Sequence, residues 1–209
     1  LWSSHRFGSG SFRDLLDAYR MVTSTGSGAD LVSQVAGGVS VWDGQIDEMR
    51  RFDWPFQDLG LTLILTGRKL ATHTHLTGLQ PLPENVLLEM REWVDEAVQS
   101  FALADANRLI ASVRGFGKVL AENGRLADHS EALLRELADC EGVRAAKGCG
   151  AMGSDVIVVL HDRTAILQIE EFCRERGLQQ IANDTNICLS GLVMREETRQ
   201  ENSQTELAT

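Results

Sequence analysis

The sequence predicts an α+β fold in which helices pack on one face of a mostly antiparallel sheet. Three observations point there: short apolar β-branched runs such as GLTLILT (60–66) and DVIVVL (155–160), a block of three helical stretches between Glu84 and Asp139, and glycine-rich breaks where the chain must turn.

From Ser11 to Thr23, Phe12, Leu15, Leu16, Tyr19 and Met21 recur at helical spacing, with Ser11 as N-cap and STGSG as terminator. A second, short helix runs from Asp30 to Ala36, with Leu31, Val32 and Val35 on one side, and stops at Gly37-Gly38. Val39 to Trp42 reads as a strand and Leu59 to Thr66 as a buried one. Glu84 to Leu103, Ala104 to Glu122 and Ser130 to Asp139 form the helical layer, broken near Asp105 and at Asn123-Gly124. The C-terminal part reads as strand (Val143 to Ala146), glycine loop, strand (Val156 to Leu160) and helix (Thr164 to Arg176), then candidate strands at Leu178 to Ile181 and Ile187 to Val193. The polar residues after Met194 are expected to be disordered.

The composition excludes several classes. The chain has 209 residues, a formal charge of −10 and no basic cluster, so nucleic acid is not an expected partner. No apolar run approaches the roughly 18 residues needed to span a bilayer, and no membrane partner is expected. Cys140, Cys149, Cys173 and Cys188 show no CxxC spacing and no His in ligand register, so no zinc site is expected and a reducing cytosol is the simplest setting. His73 and His75 would share a strand face but lack a third ligand. The opening LWSSHRF reads as the tail of an apolar helix, which makes the chain an expected fragment of something longer.

Two glycine-bearing stretches carry chemistry. GCGAMGS (148–154) matches the glycine spacing of a dinucleotide fingerprint, but that mechanism needs a helix after the glycines to hold a pyrophosphate, and a β-branched run follows instead. A strand-loop-strand turn is therefore expected. In TSTGSGADLVSQVAGG (23–38), Asp30 stands at a helix start, where free N–H groups and the macrodipole favour its ionised form. A fixed charge there suits a base or a group that orients a nucleophile, while an ordinary N-cap role stays open.

SGADLVSQVAGG (27–38) resembles the segment of the GHMP kinase superfamily, in its mevalonate and phosphomevalonate branch, in which an SGxD motif carries the catalytic aspartate. LTGRKLAT (65–72) resembles the TGxxxxT strand end of that branch, and KGCGAMGSD (147–155) its third, glycine-rich motif. The resemblance spans roughly residues 1 to 193, and three ordered motifs are more specific than any one glycine pattern. It implies a GHMP C-terminal lobe at 59–193, the end of an N-terminal lobe with the aspartate loop at 1–58, and a polar tail at 194–209.

The resemblance also implies ATP and Mg²⁺ as cofactors and a small anionic substrate, with a homodimer left open. Asp30 would be catalytic; Ser27, Gly28, Lys147, Gly148, Cys149, Gly150, Ala151, Gly153 and Ser154 would form the phosphate and substrate loops. Arg68, Lys69 and Thr72 would bind the acceptor, and no residue is assigned to metal. GSGAD followed by LVS, with the Asp155 ending, leans to phosphomevalonate over mevalonate. Cys149 stands where Ser or Thr is usual, and Met152 and Ser154 replace glycines. The family's ATP-binding PxxxGLxSSAA loop is expected upstream of Leu1. A sugar kinase of the superfamily and a non-catalytic binding module on the same fold are the alternatives.

Overall fold

The structure, a computed structural model, describes residues 12–23, 28–43, 48–68, 80–150 and 155–191. It divides into two units, residues 1–50 with 189–209 and residues 51–188.

The first unit holds α1 (Phe12–Thr23), α2 (Ala29–Ala36) and β1 (Val39–Asp43), which pairs with β2 (Glu48–Phe52), the strand in which the unit boundary falls. The helical spacing of α1 is real, yet Met21 is 81% exposed and Leu16 is its buried anchor. β2 was not expected. EMRRF carries three charged residues and leaves most of its positions exposed, so it lacks the apolar alternation that marks a strand in sequence.

In the second unit, β3 (Leu59–Leu65), β4 (Val143–Cys149), β5 (Val156–Asp162) and β6 (Gln179–Asn183) form one sheet in the order β4-β5-β3-β6. Every pairing in it is antiparallel, as expected. α3 (Glu84–Leu103), α4 (Ala106–Glu122), α5 (Asp128–Ala138) and α6 (Ile166–Glu175) supply the helices.

The α+β class holds, but the helices are divided between the two sheet faces rather than gathered on one. Ile157 and Val159 of β5 join Ile64, Leu137 of α5, and Ile169, Phe172 and Cys173 of α6 in one core cluster. Leu160 points the other way and joins Leu59, Phe56, Ala145, and Leu109 and Ile110 of α4 in a second cluster, with Ala97 and Phe101 of α3 against it. This explains the unbroken apolar run of β5, which is covered on both sides. Each fully buried Ile, Leu or Val here contributes about 1.5–3 kcal/mol.

Two polar groups inside this core match each other. Thr62 and His161 lie on the same face; the His161 Nδ1–H donates to the Asp162 carbonyl at 2.9 Å, leaving Nε2 to accept from the Thr62 hydroxyl at 3.0 Å. Arg163, in a 3₁₀ turn (Arg163–Ala165), donates to the carbonyls of Gln57 (2.7 Å), Phe56 (3.2 Å) and Leu59 (3.3 Å) and pairs with Asp184 at 2.8 Å. The other Asp184 oxygen accepts from the Leu61 N–H at 3.1 Å. One ion pair thus ties the approach to β3 to the turns that follow β5 and β6.

Element ends differ from expectation where a local hydrogen bond intervenes. α4 starts at Ala106 because Ala104 takes a left-handed turn (φ 53°) and Asp105 caps the helix, its side chain accepting from the Arg108 N–H. The expected strand at Ile187 to Val193 is absent from 187–191, the part that is described. The chain instead enters a 3₁₀ turn (Asp184–Asn186) closed by a reciprocal cap between Asn183 and Asn186. No described helix is long and apolar enough to cross a membrane.

Candidate active site

Asp30 lies in the first turn of α2 and is exposed. The helix begins there because Gly28 adopts φ 79°, a left-handed conformation that only glycine takes without strain, and sits buried against Leu16, where a Cβ would collide with the Leu16 side chain. The Tyr19 hydroxyl, reaching from α1, donates to the Asp30 carboxylate at 3.0 Å and 3.3 Å to its two oxygens. Ser33 Oγ donates to the Asp30 carbonyl at 2.8 Å, securing the same turn. Tyr19 was expected only as an apolar position of α1. Its spacing gave no sign of the contact, which arises from two separate helices eleven residues apart.

The carboxylate leaves a mark on its partner. The hydrogen bond to Asp30, helped by slight desolvation and the negative charge, raises the Tyr19 pKa above 10.0. Tyr19 is the single tyrosine of the 209 residues, so phenolate absorbance reports on it alone. On alkaline titration its ionisation is expected above that of free tyrosine, and Asp30→Asn is expected to move it back down; a midpoint indifferent to that substitution would contradict the pairing. The neutral phenol is the bonded form, so any stability this pair adds is present below the unfolded tyrosine pKa and lost as pH rises through the folded one.

In the second unit the glycine loop is a strand-loop-strand turn, as expected: β4 runs to Cys149, β5 starts at Val156, and Cys149 pairs with Val156. No helix follows the glycines, which excludes the dinucleotide-fingerprint geometry. Gly148 is buried within β4, Cys149 is a half-buried free thiol, and Gly150 turns the chain at φ 76° with open space where a side chain would stand. Lys147 remains on its strand, its ammonium donating to the Gly148 carbonyl at 3.1 Å and lying 5.2 Å from the Phe116 ring centroid.

The same end of the sheet carries the TGR turn. Leu65 pairs with Val156, and the next residue, Thr66, donates its N–H to the Asp155 carbonyl at 3.0 Å. The buried Thr66 hydroxyl also reaches the Asp155 carbonyl, at 3.3 Å, and accepts the Arg68 N–H at 3.3 Å. The fold therefore joins the Thr66–Gly67–Arg68 turn to the end of the glycine loop and leaves Arg68 exposed beside it. Asp30 belongs to the other unit. Ser27, Lys69, Thr72, Ala151, Gly153 and Ser154 lie outside the described residues, as do Met152, His73 and His75. Among the described residues no group of three or more His, Cys, Asp or Glu side chains is placed to hold a metal ion.

The fold is similar to that of several solved small-molecule kinases. It superposes on a phosphomevalonate kinase from Streptococcus pneumoniae with a TM-score of 0.55 at 18% identity, covering 65% of this chain and 42% of that one. It also matches the L. major mevalonate kinase solved with R-mevalonate (TM-score 0.62, 17% identity, 75% and 52% covered). A homoserine kinase from Cytophaga hutchinsonii gives a TM-score of 0.64 at 11% identity, with 88% and 60% covered. The chain thus spans about half the length of these enzymes. No protein-family model matches the sequence, and no curated protein matches it. At such identities the likeness defines the fold, and it spans kinases with different acceptors.

Proposed function

We propose that this chain is part of an ATP-dependent small-molecule kinase of the GHMP type, with phosphomevalonate as the favoured acceptor and mevalonate next. The observation that carries the proposal is the SGAD segment at a helix start, with its carboxylate held by Tyr19, in a chain of GHMP kinase fold. The paired glycine loop and TGR turn support it. One of the structural neighbours, the Streptococcus pneumoniae phosphomevalonate kinase, was solved with phosphomevalonate and AMPPNP.

Phosphoryl transfer asks a protein mainly for positioning and for charge stabilisation. When bound, ATP supplies the γ-phosphoryl group. The open backbone at Gly150 and the exposed Arg68 guanidinium fit a phosphoryl oxygen. In this proposal the adenine and Mg²⁺ are held by groups outside the described residues. Asp30 orients the acceptor and, if that acceptor is a hydroxyl, takes its proton. A phosphate acceptor, with its second pKa near 6, is already largely ionised at neutral pH and needs orientation alone.

Ligand-dependent melting of the full-length protein tests this reading without relying on turnover. ATP with Mg²⁺ is expected to raise Tm, and phosphomevalonate to raise it further where hexoses do not. A Tm unmoved by ATP would favour a non-catalytic binding module, and a response to a hexose would favour a sugar kinase.

A further inference from the structure

Among the described residues β4 is an edge strand of the sheet, and its outer edge is not left bare to solvent. It floors a groove of about 460 Å³ whose walls are α4 on one side and α5 on the other, with residues 143–146 at the bottom. An edge strand presents a row of main-chain donors and acceptors that only another extended chain satisfies well. The walls add a chemical preference. Arg114 and Lys118 line one side and Arg135 the other, with Arg144 at the floor, against the single acid Glu131.

These cations are available. Arg114 has no acidic partner among the described residues. Among the described residues Lys118 pairs with Glu122 (3.6 Å) and Arg135 with Glu131 (2.7 Å), in surface pairs whose basic members are 72% and 71% exposed. Exposed pairs of this kind contribute little and exchange readily for another carboxylate. Such a basic lining is unusual on a chain of net charge −10.

We propose that this groove docks an acidic segment of a partner protein in extended conformation, added as a strand to β4. The main chain of Ala145 and Ala146 supplies the pairing, since the ladder to β5 shifts register between Val143 and Ala145 and Arg144 there turns to Asp162 at 3.0 Å. Carboxylates on the segment meet Arg114, Lys118 and Arg135. A second copy of this chain fits less well, because pairing β4 with β4 would bring Arg144, Lys147 and the basic walls of two copies together. This surface lies wholly within the second unit and stands apart from the kinase proposal.

Fluorescence anisotropy of the full chain with a labelled Glu/Val-alternating peptide of about eight residues tests the proposal. Binding is expected to weaken about tenfold in Arg114→Glu and to fall steeply with added salt. Ala121→Trp, a change at an exposed groove-wall position, is expected to block it. A peptide of the same sequence with alternate backbone nitrogens methylated should not bind, because it keeps the charges but loses the main-chain donors. Equal binding of the methylated peptide or of a Lys/Val peptide would overturn the proposal. So would the absence of any binding, or concentration-dependent self-association abolished by Ala121→Trp.

Discussion

Replacing Asp30 with Asn in the full-length protein is expected to lower kcat by a factor on the order of 10² or more while leaving ATP affinity within about twofold. The side chain is exposed and the substitution keeps its shape, so the fold should be unaffected. What changes is charge: an amide neither accepts a proton nor orients a nucleophile with the same field, and its contact with the Tyr19 hydroxyl loses the ionic component. If phosphomevalonate is the acceptor, the loss should be smaller than with mevalonate, because no proton has to leave an alcohol. Steady-state kinetics with each acceptor, alongside direct ATP titration, reads both expectations; unchanged turnover would remove Asp30 from the chemistry.

The largest stability effect is expected at the Arg163–Asp184 pair. Asp184 has a side chain only 9% exposed, and its two oxygens serve the guanidinium and the Leu61 N–H. Asp184→Ala leaves a cation and a main-chain donor short of partners and should cost about 2–4 kcal/mol in chemical denaturation. Arg163→Met should cost a similar amount, since three carbonyls lose a donor and the Asp184 charge is stranded. Combining Arg163→Met with Asp184→Ala is expected to cost clearly less than the sum of the two, because the second change removes the charge the first leaves unpaired. Additive losses, or single losses below about 0.5 kcal/mol, would contradict this role.

Much of the second unit is legible in the sequence because its elements advertise themselves. Glu84–Leu103 was expected with the bounds found, and the β-branched run after the glycines identified β5 and excluded a phosphate-binding helix. What escaped is what depends on long-range or local polar contacts. β2 hides behind Glu48, Arg50 and Arg51, and the strand expected after Ile187 yields to side-chain caps at Asn183 and Asn186. The division of the helices between both sheet faces was implied by the unbroken burial of β5 but masked by the helical block reading as one layer.

The site divides in the same way. Asp30 and the glycine positions stand out by residue type and order along the chain. The Tyr19 hydroxyl on Asp30 and the Thr66 hydroxyl on the Asp155 carbonyl, 89 residues away, do not, since neither follows from spacing within one element. Arg163 and Asp184 gave no signal either, being ordinary charges until the fold places one beside three carbonyls and the other under the sheet end.

The most direct measurement is transfer of label from γ-labelled ATP by the full-length protein in the presence of Mg²⁺, with phosphomevalonate, mevalonate, homoserine and galactose as separate acceptors. A GHMP-type kinase of the proposed preference transfers label to phosphomevalonate first and mevalonate second, and Asp30→Asn suppresses that transfer about 10²-fold. Transfer to none of the four, by a protein that is folded, would contradict the kinase reading; transfer to homoserine or galactose alone would retain the reaction and overturn the acceptor.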